Sequence, residues 1–469
     1  MAYCKLTVDI QVVHNAVDPM RLLNVLASQS GDIAMLHSGH NGNAVLAIKP
    51  IGGVVLNAQE GQMNLHTTGI AANANGCGEV IGSWANAWQR WGKILSGISF
   101  SQPVPELLGW LGFISYQAGV MAELPRLYEL DNAEIPLAHW QIFERYFIFN
   151  APAQQWYLIA LHQAPQPSCD VIADMQAQIR MAETSALPGK PPGESTLLQQ
   201  PSASAFKHAV RRCREYIAAG DIYQANISAL WTARVAEPGY EIFMRLAQKN
   251  PAQYAAFLRY GENEIICASP ELFLKRNGKT LETRPIKGTR PRDRYHSMAD
   301  QQLRDELLNS EKDRAELAMI VDLLRNDLGR VCTQVHVEKI REIEKLPTLW
   351  HTHGVITGEL PPQVNTGWGD IITAMCPGGS ITGVPKIRAM EIIHELEAQS
   401  RGIYCGNIGW ISPGGPGALN IAIRTIHLAN GIAKIRSGAG ITADSNPDEE
   451  YAEILLKAAA LLRSIIEVQ

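Results

Sequence analysis

Up to residue 184 the apolar residues come in short runs and not at helical spacing: 44–49, 109–114, 146–149 and "WYLIALH" at 156–162, separated by Gly and Pro. Such runs predict strands, so the N-terminal part reads as β-rich. After residue 205 the period changes. Phe206, Val210, Cys213 and Ile217 recur at helical spacing, with Gly220 placed to end the helix. "AAFLRY", "EIICAS" and "LFLKRN" then predict strands, followed by long helices near 300–328 and 385–397 and a last one at 449–467. In "EKDRAELAMIVDLLRNDLGR" the residues Leu317, Ile320, Val321, Leu324 and Leu328 form one stripe, and Glu316 borders it one turn before Ile320. On the last helix Glu450, Glu453 and Lys457 share a face, while Leu455, Leu456 and Ala459 point largely elsewhere. This order of strands and helices predicts an α+β fold. Residues 184–206 are rich in Pro, Gly and Ser, which divides the chain into an N-terminal segment (1–185), a linker or loop (186–204) and a C-terminal domain (205–469).

Composition narrows the function classes. With 469 residues and 46% hydrophobic content the chain can bury a sizeable core. The net charge of −5 and the lack of a basic run argue against nucleic acid as a partner. Eight cysteines (4, 77, 169, 213, 267, 332, 376 and 405) lie far apart without CxxC pairs, which reads as buried thiols in a reducing compartment and suggests no zinc site. "MAYCKLTVDIQ" has no basic region followed by an apolar one, and no uncharged apolar run reaches the ~20 residues that span a bilayer. A cytoplasmic location without membrane contact is expected.

Five stretches carry candidate chemistry. The carboxylates of Glu316, Glu450 and Glu453, on two helices, suit Mg²⁺, although surface i,i+4 pairing explains the same spacing. In "PGGSITGVPKIRAMEII" (377–393), two glycines precede Ser380 and Thr382, and Pro385 stands just inside a helix, which predicts a helix N-terminus with spare donors for an anion. "SGAG" (437–440) predicts a second backbone turn of close approach, though capped helices and Gly turns are common without ligands. In "ETRPIKGTRPR" (282–292), a single lysine, Lys287, stands among arginines and prolines.

With "GDIYQANIS", "ASPELF", "TRPIKGT", "DRAELAMIVDLLRND", "RGIYCGNIGW" and "IAIRT" in the same order, residues from about 205 to 467 resemble the chorismate-utilising enzymes, which include anthranilate, aminodeoxychorismate and isochorismate synthases. "AMLHSG" and "GWLGFISY" extend the resemblance to the N-terminal segment, which becomes one of the anthranilate synthase component I type. The resemblance implies an anthranilate-synthase-like α+β fold of stacked antiparallel β-sheets flanked by helices, with the active site in the C-terminal, chorismate-binding part. It implies Mg²⁺ at Glu316 and Glu453 with Glu450 in support. It further implies chorismate carboxylates held by Tyr404, Arg424, Gly438 and Gly440 with Ser380 and Lys457, and Thr289 in the substrate-binding set. Glu271 would protonate the leaving hydroxyl, and His351 would join the catalytic residues.

Two positions divide the reactions of the family. Its water-adding members carry a lysine base where this chain has Gln224, and its anthranilate synthases usually read Pro-Ile-Ala-Gly-Thr where this chain has Pro-Ile-Lys-Gly-Thr. Lys287 is the mark of the aminodeoxychorismate synthases, in which the amine attacks the ring before ammonia displaces it. A carboxylate-binding cation is the plainer role for Lys287. Anthranilate synthesis and non-catalytic binding of chorismate or tryptophan remain as alternatives. There are departures too: "HTHG" (351–354) replaces a His-Leu-Val-Ser stretch, and Glu453-Ile454 replaces Glu-Thr. Ser38, Pro251 and Tyr254 match tryptophan-contacting positions of the family. No Gly-x-Cys-x-Gly nucleophile setting occurs, so a glutamine amidotransferase partner is expected to supply ammonia.

Overall fold

The computed structural model describes residues 4–39, 42–59, 62–72, 79–81, 84–128, 134–163, 169–187, 194–293, 295–346, 349–362 and 366–466. The N-terminal apolar runs are strands: Ala44–Gln59, Trp110–Ile114, Ala138–Asn150 and Gln155–His162. So are Tyr254–Tyr260, Asn263–Ser269 and Leu272–Asn277 after them. The helix expected near 300–328 is two helices, Ser297–Asn309 and Glu311–Gly329. Ser310 makes the break, because its side chain accepts a hydrogen bond from the Asp313 amide and caps the second helix. Helices Lys386–Leu396 and Pro447–Ile465 match the other two expected. Gly220 lies just past helix Ala203–Ala218 with φ +83°, a conformation that favours glycine.

The expected linker holds structure. Strand Ser195–Gln199 pairs antiparallel with Gln224–Val235, and helix Ala203–Ala218 begins inside the stretch. Its five residues sit largely exposed at a sheet edge and carry no alternation of apolar and polar positions, so nothing local marks them as a strand.

Antiparallel ladders run through both halves of the chain. From Gln224–Val235 they pass to Ile432–Ile441, Thr425–Ala429, Asn263–Ser269 and Tyr254–Tyr260. There they cross into the N-terminal segment through Ile33–His37, Ala44–Gln59, Ala138–Asn150 and Trp110–Ile114. They return through Asn407–Ile411, Gly417–Asn420, Leu272–Asn277 and Thr280–Arg284 to Leu349–Glu359. Leu349–Glu359 is flanked by Ile286–Pro291 and Gln334–Lys345. Two apolar cores result, and each draws on both halves. One joins Trp88, Phe113 and Trp140 to Leu274, Leu317 and Ile356. The other joins Leu22, Phe147 and Trp156 to Ile227, Ile435 and Ile454. The stripe on helix Glu311–Gly329 is buried in the first, which leaves Glu316 at the core's border. No described helix is long and apolar enough to cross a membrane. The six cysteines whose side chains are described are free thiols, and Cys77 lies outside the described residues.

Candidate active site

Glu271 occupies the tight connection between Asn263–Ser269 and Leu272–Asn277, and its side chain is buried. Its backbone is pinned at both ends, with its amide donating to Ser269 Oγ at 3.2 Å and its carbonyl accepting from the Ile421 amide at 3.1 Å. Ser380 Oγ donates to Glu271 Oε1 at 2.8 Å. Burial raises the carboxyl to about 7, against the opposing pull of the Ser380 hydroxyl, Lys287 and Lys457. A carboxyl so placed is partly protonated at neutral pH.

Lys287 lies on strand Ile286–Pro291, where the register slips between Lys287 and Thr289 and Gly288 takes φ +76°. Its amine reaches the strand Ile432–Ile441: a methyl group added at Gly440 would sit 3.4 Å from Lys287 Nζ and collide with the Gln224 side-chain amide. Gln224 is fully buried, and its Oε1 has no hydrogen-bond partner among the described residues. At Gly438 an added methyl would stand 2.9 Å from the Tyr404 hydroxyl. Both glycines are therefore needed for close approach within a strand. That corrects the expectation of a turn at 437–440. Lys457 Nζ donates to the Gly438 carbonyl at 3.1 Å and pairs with Glu453 at 2.5 Å.

The reading of 377–393 as a helix N-terminus also needs correction. Ser380 lies on a separate turn of 3-10 helix, Gly379–Ile381, and Gly383–Val384 then pairs with Gln224 and Ala225 before helix Lys386–Leu396 begins. Its hydroxyl is therefore directed at Glu271. Arg424, with φ +50°, follows the segment that anchors Ser269 and Glu271. Burial lowers the pKa of its guanidinium, and no carboxylate among the described residues pairs with it. A desolvated cation without a counter-ion is suited to an anionic ligand.

The acids divide unevenly. Glu450 is buried and accepts from Ser445 Oγ at 2.7 Å. Burial raises its pKa and the neighbouring Glu453 adds to the rise, while Lys312 of helix Glu311–Gly329 opposes it. Lys312 thus lies within electrostatic reach of Glu450. Glu316 is half-buried, and its carboxylate has no hydrogen bond or ion pair among the described residues. Two further expected site residues lie on neighbouring strands. Thr289 is exposed, and His351 Nε2 lies 2.9 Å from Glu344 Oε2. Ser38, Pro251 and Tyr254 gather at the end of the ladder that pairs His37 with Ala255, where the Gly39 amide donates to the Ala252 carbonyl at 2.9 Å.

The profile described as chorismate binding enzyme matches residues 66–463. The chain belongs to this family. An aminodeoxychorismate synthase component 1 from Bacillus subtilis (strain 168) is 36% identical over 386 residues, 81% of either chain. An anthranilate synthase component 1 from Haloarcula marismortui is also 36% identical, over 381 residues, 78% of this chain and 77% of the relative. The crystal structure of anthranilate synthase component I from Streptococcus pneumoniae TIGR4 superposes with a TM-score of 0.72 at 29% identity, covering 89% of this chain and 91% of that one. The fold expected from the ordered motifs is the fold found.

This chorismate-binding enzyme supports its site with a buried ionic network that sequence reading missed. Glu397 accepts from the Ser228 amide at 2.7 Å and pairs with Arg401 at 2.7 Å and Arg436 at 3.5 Å. Arg401 donates onward to the carbonyls of Ile381 and Asn226, at 2.9 and 2.5 Å, fixing the Ser380 turn against strand Gln224–Val235. Burial alone would raise the Glu397 carboxyl, but the two arginines and the Ser228 amide outweigh it and hold the group below its usual range. Their sequence signal, Glu397 and Arg401 at i,i+4, looks like any surface pair. Arg401→Met is expected to destabilise the fold by about 3 kcal/mol in denaturant titration, because Glu397 is left buried with one weaker partner. A loss below about 1 kcal/mol would show that the network does not hold the turn.

Proposed function

We propose that the protein is an aminodeoxychorismate synthase component I, converting chorismate and ammonia to 4-amino-4-deoxychorismate for para-aminobenzoate and folate synthesis. The observation that carries the reading is the Lys287 amine, set beside Gly440 and close enough to Glu271 to act on its carboxyl, with Gln224 in place of a water-activating lysine. In the first step Lys287 forms a C–N bond to the ring. The allylic C–O bond breaks, and Glu271 gives its proton to the departing hydroxyl, which leaves as water. In the second step ammonia forms the new C–N bond at the carbon that lost the hydroxyl, the Lys287–carbon bond breaks to release the amine, the enolpyruvyl group is retained, and the proton shed by the new ammonium returns to the Glu271 carboxylate. Ser380 orients Glu271, and Arg424 with Tyr404 receives a substrate carboxylate.

Glu316, Glu450 and Glu453 offer only oxygen donors, and the Glu316 carboxylate has no partner among the described residues, so they fit Mg²⁺. Bound there, Mg²⁺ would neutralise the ring carboxylate and draw electron density from the ring. Glu453→Gln is expected to lower turnover ~10²-fold, with part recovered at high Mg²⁺, as for loss of one metal ligand. Normal turnover at limiting Mg²⁺ would remove Glu453 from the metal site. The ammonia would come from a glutamine amidotransferase subunit, and tryptophan would bind at Ser38, Pro251 and Tyr254.

The equal identity to an anthranilate synthase component 1 favours a second reading, anthranilate formation. Mass spectrometry of the product from chorismate, Mg²⁺ and ammonium salt decides between them. Aminodeoxychorismate keeps the enolpyruvyl group, whereas anthranilate appears with pyruvate. Anthranilate as the sole product would overturn the first reading.

A further inference from the structure

In the ladder between Gln334–Lys345 and Leu349–Glu359, Glu344 stands opposite His351 and Glu342 opposite His353. Alternate residues of a strand share a face, so the two histidines and the two glutamates meet on one side of the sheet. Both imidazoles are buried, at 2% and 6% relative exposure. His351 Nε2 is 2.9 Å and His353 Nδ1 3.7 Å from the same oxygen, Glu344 Oε2. His353 Nδ1 has no hydrogen-bond partner among the described residues although it is buried. The other ring nitrogen, Nε2, lies 3.3 Å from Glu342 Oε2.

We propose that His351 Nε2, His353 Nδ1 and a Glu344 carboxylate oxygen form a binding site for a transition-type divalent cation of the Zn²⁺ class. The donor atoms of this trio lie within 4.8 Å of one another. Ligands at ~2.0–2.1 Å from a tetrahedral Zn²⁺ are about 3.4 Å apart, so the observed 2.9 and 3.7 Å separations need only small side-chain rotations to converge. An orphaned ring nitrogen in a buried position is the acceptor that a metal bond would satisfy. With its Nε2–H given to Glu342, His353 has the tautomer that leaves Nδ1 free to ligate, and Glu342 becomes the outer carboxylate that orients a metal-bound histidine. Among the described residues Arg284 also acts on His353, but its Nε is engaged by Glu282 at 2.5 Å, and Lys339 pairs with the other oxygen of Glu342. Glu344 and Glu342 are partly exposed, which provides a path for entry.

Two imidazoles and one carboxylate suit Zn²⁺ or Co²⁺ far better than Mg²⁺, so this site is separate from the one assigned to Glu316, Glu450 and Glu453. The inference rests on the strand register and the buried histidines, and stands whether the product is aminodeoxychorismate or anthranilate. The widely spaced cysteines suggested no zinc site because only thiol spacing was informative there; the pairing of His351 and His353 with Glu344 exists across a ladder.

The test titrates the untagged full-length chain with Co²⁺ after chelator treatment, in saturating Mg²⁺. One Co²⁺ per chain is expected, with the visible absorption of a low-coordinate nitrogen and oxygen site, and Zn²⁺ should displace it. His353→Val and Glu344→Gln should each lower Co²⁺ affinity at least ~10²-fold, and Glu342→Gln about tenfold, whereas Glu453→Gln should keep the spectrum. Circular dichroism confirms that each variant is folded, and turnover of chorismate by His353→Val should match the wild type. No Co²⁺ spectrum in the wild type, a spectrum kept by both His353→Val and Glu344→Gln, or one lost in Glu453→Gln would overturn the site.

Discussion

Lys287→Ala is expected to lose aminodeoxychorismate formation by ~10³-fold or more while still binding chorismate, because the covalent route disappears and a direct displacement must replace it. The neighbouring geometry gives the prediction its direction. With the side chain cut back, the space beside Gly440 and Gln224 opens to ammonia, which can then attack the ring carbon that Lys287 would have taken. The residual product should shift toward an aminated isomer and, after pyruvate loss, anthranilate, since the strand would now read Pro-Ile-Ala-Gly-Thr. Two measurements check this: intact mass of the wild type quenched with chorismate and Mg²⁺ but no ammonia, and product analysis of the variant with ammonium salt. Absence of a wild-type adduct together with unchanged aminodeoxychorismate from Lys287→Ala would reduce the amine to a neighbouring charge.

The lesson about legibility lies in which features are local. The strand Gln155–His162 and the stripe through Leu317 and Leu328 were legible because burial of one face or one apolar run is written within a dozen residues. Glu271 and Lys287 were legible by their motifs, and the structure puts the two side chains within electrostatic reach. Ser380 was read on the wrong element, since two glycines before a hydroxyl look alike whether they open a helix or a short turn. The crossings at Ile33–His37 and Asn407–Ile411 join segments more than two hundred residues apart, and no local period records such a pairing. For the same reason the linker concealed a strand, and the carboxylates around His351 and His353 went unseen. His351 itself was assigned by resemblance, and its contact with Glu344 is a matter of register between strands.

Glu271→Gln should bind chorismate with little change in affinity and turn it over ~10³-fold more slowly, within the range that a lost general acid costs. The amide keeps the size of the side chain and can still meet the Ser380 hydroxyl, so substrate binding tests position while turnover tests the proton. The pH profile adds a readout that a structural role would not move. Burial raises the Glu271 carboxyl to about 7, so the protonated form that the departing hydroxyl needs is full at pH 6 and falls away as pH rises through 7. In the wild type kcat/KM should therefore decline above about pH 7, and in Glu271→Gln that limb should vanish, leaving a low, flat rate across the same window. The same shift runs against stability: between the ordinary carboxyl value of 4.5 and about 7 the folded chain holds a proton that the unfolded chain has released, so this group's contribution weakens as pH rises through that interval. Ser380→Ala separates the two effects, because removing the hydroxyl that lowers the carboxyl's pKa should move the limb to higher pH without abolishing it. A limb that persists in Glu271→Gln would belong to another group, and Glu271 would then lose its role as the acid.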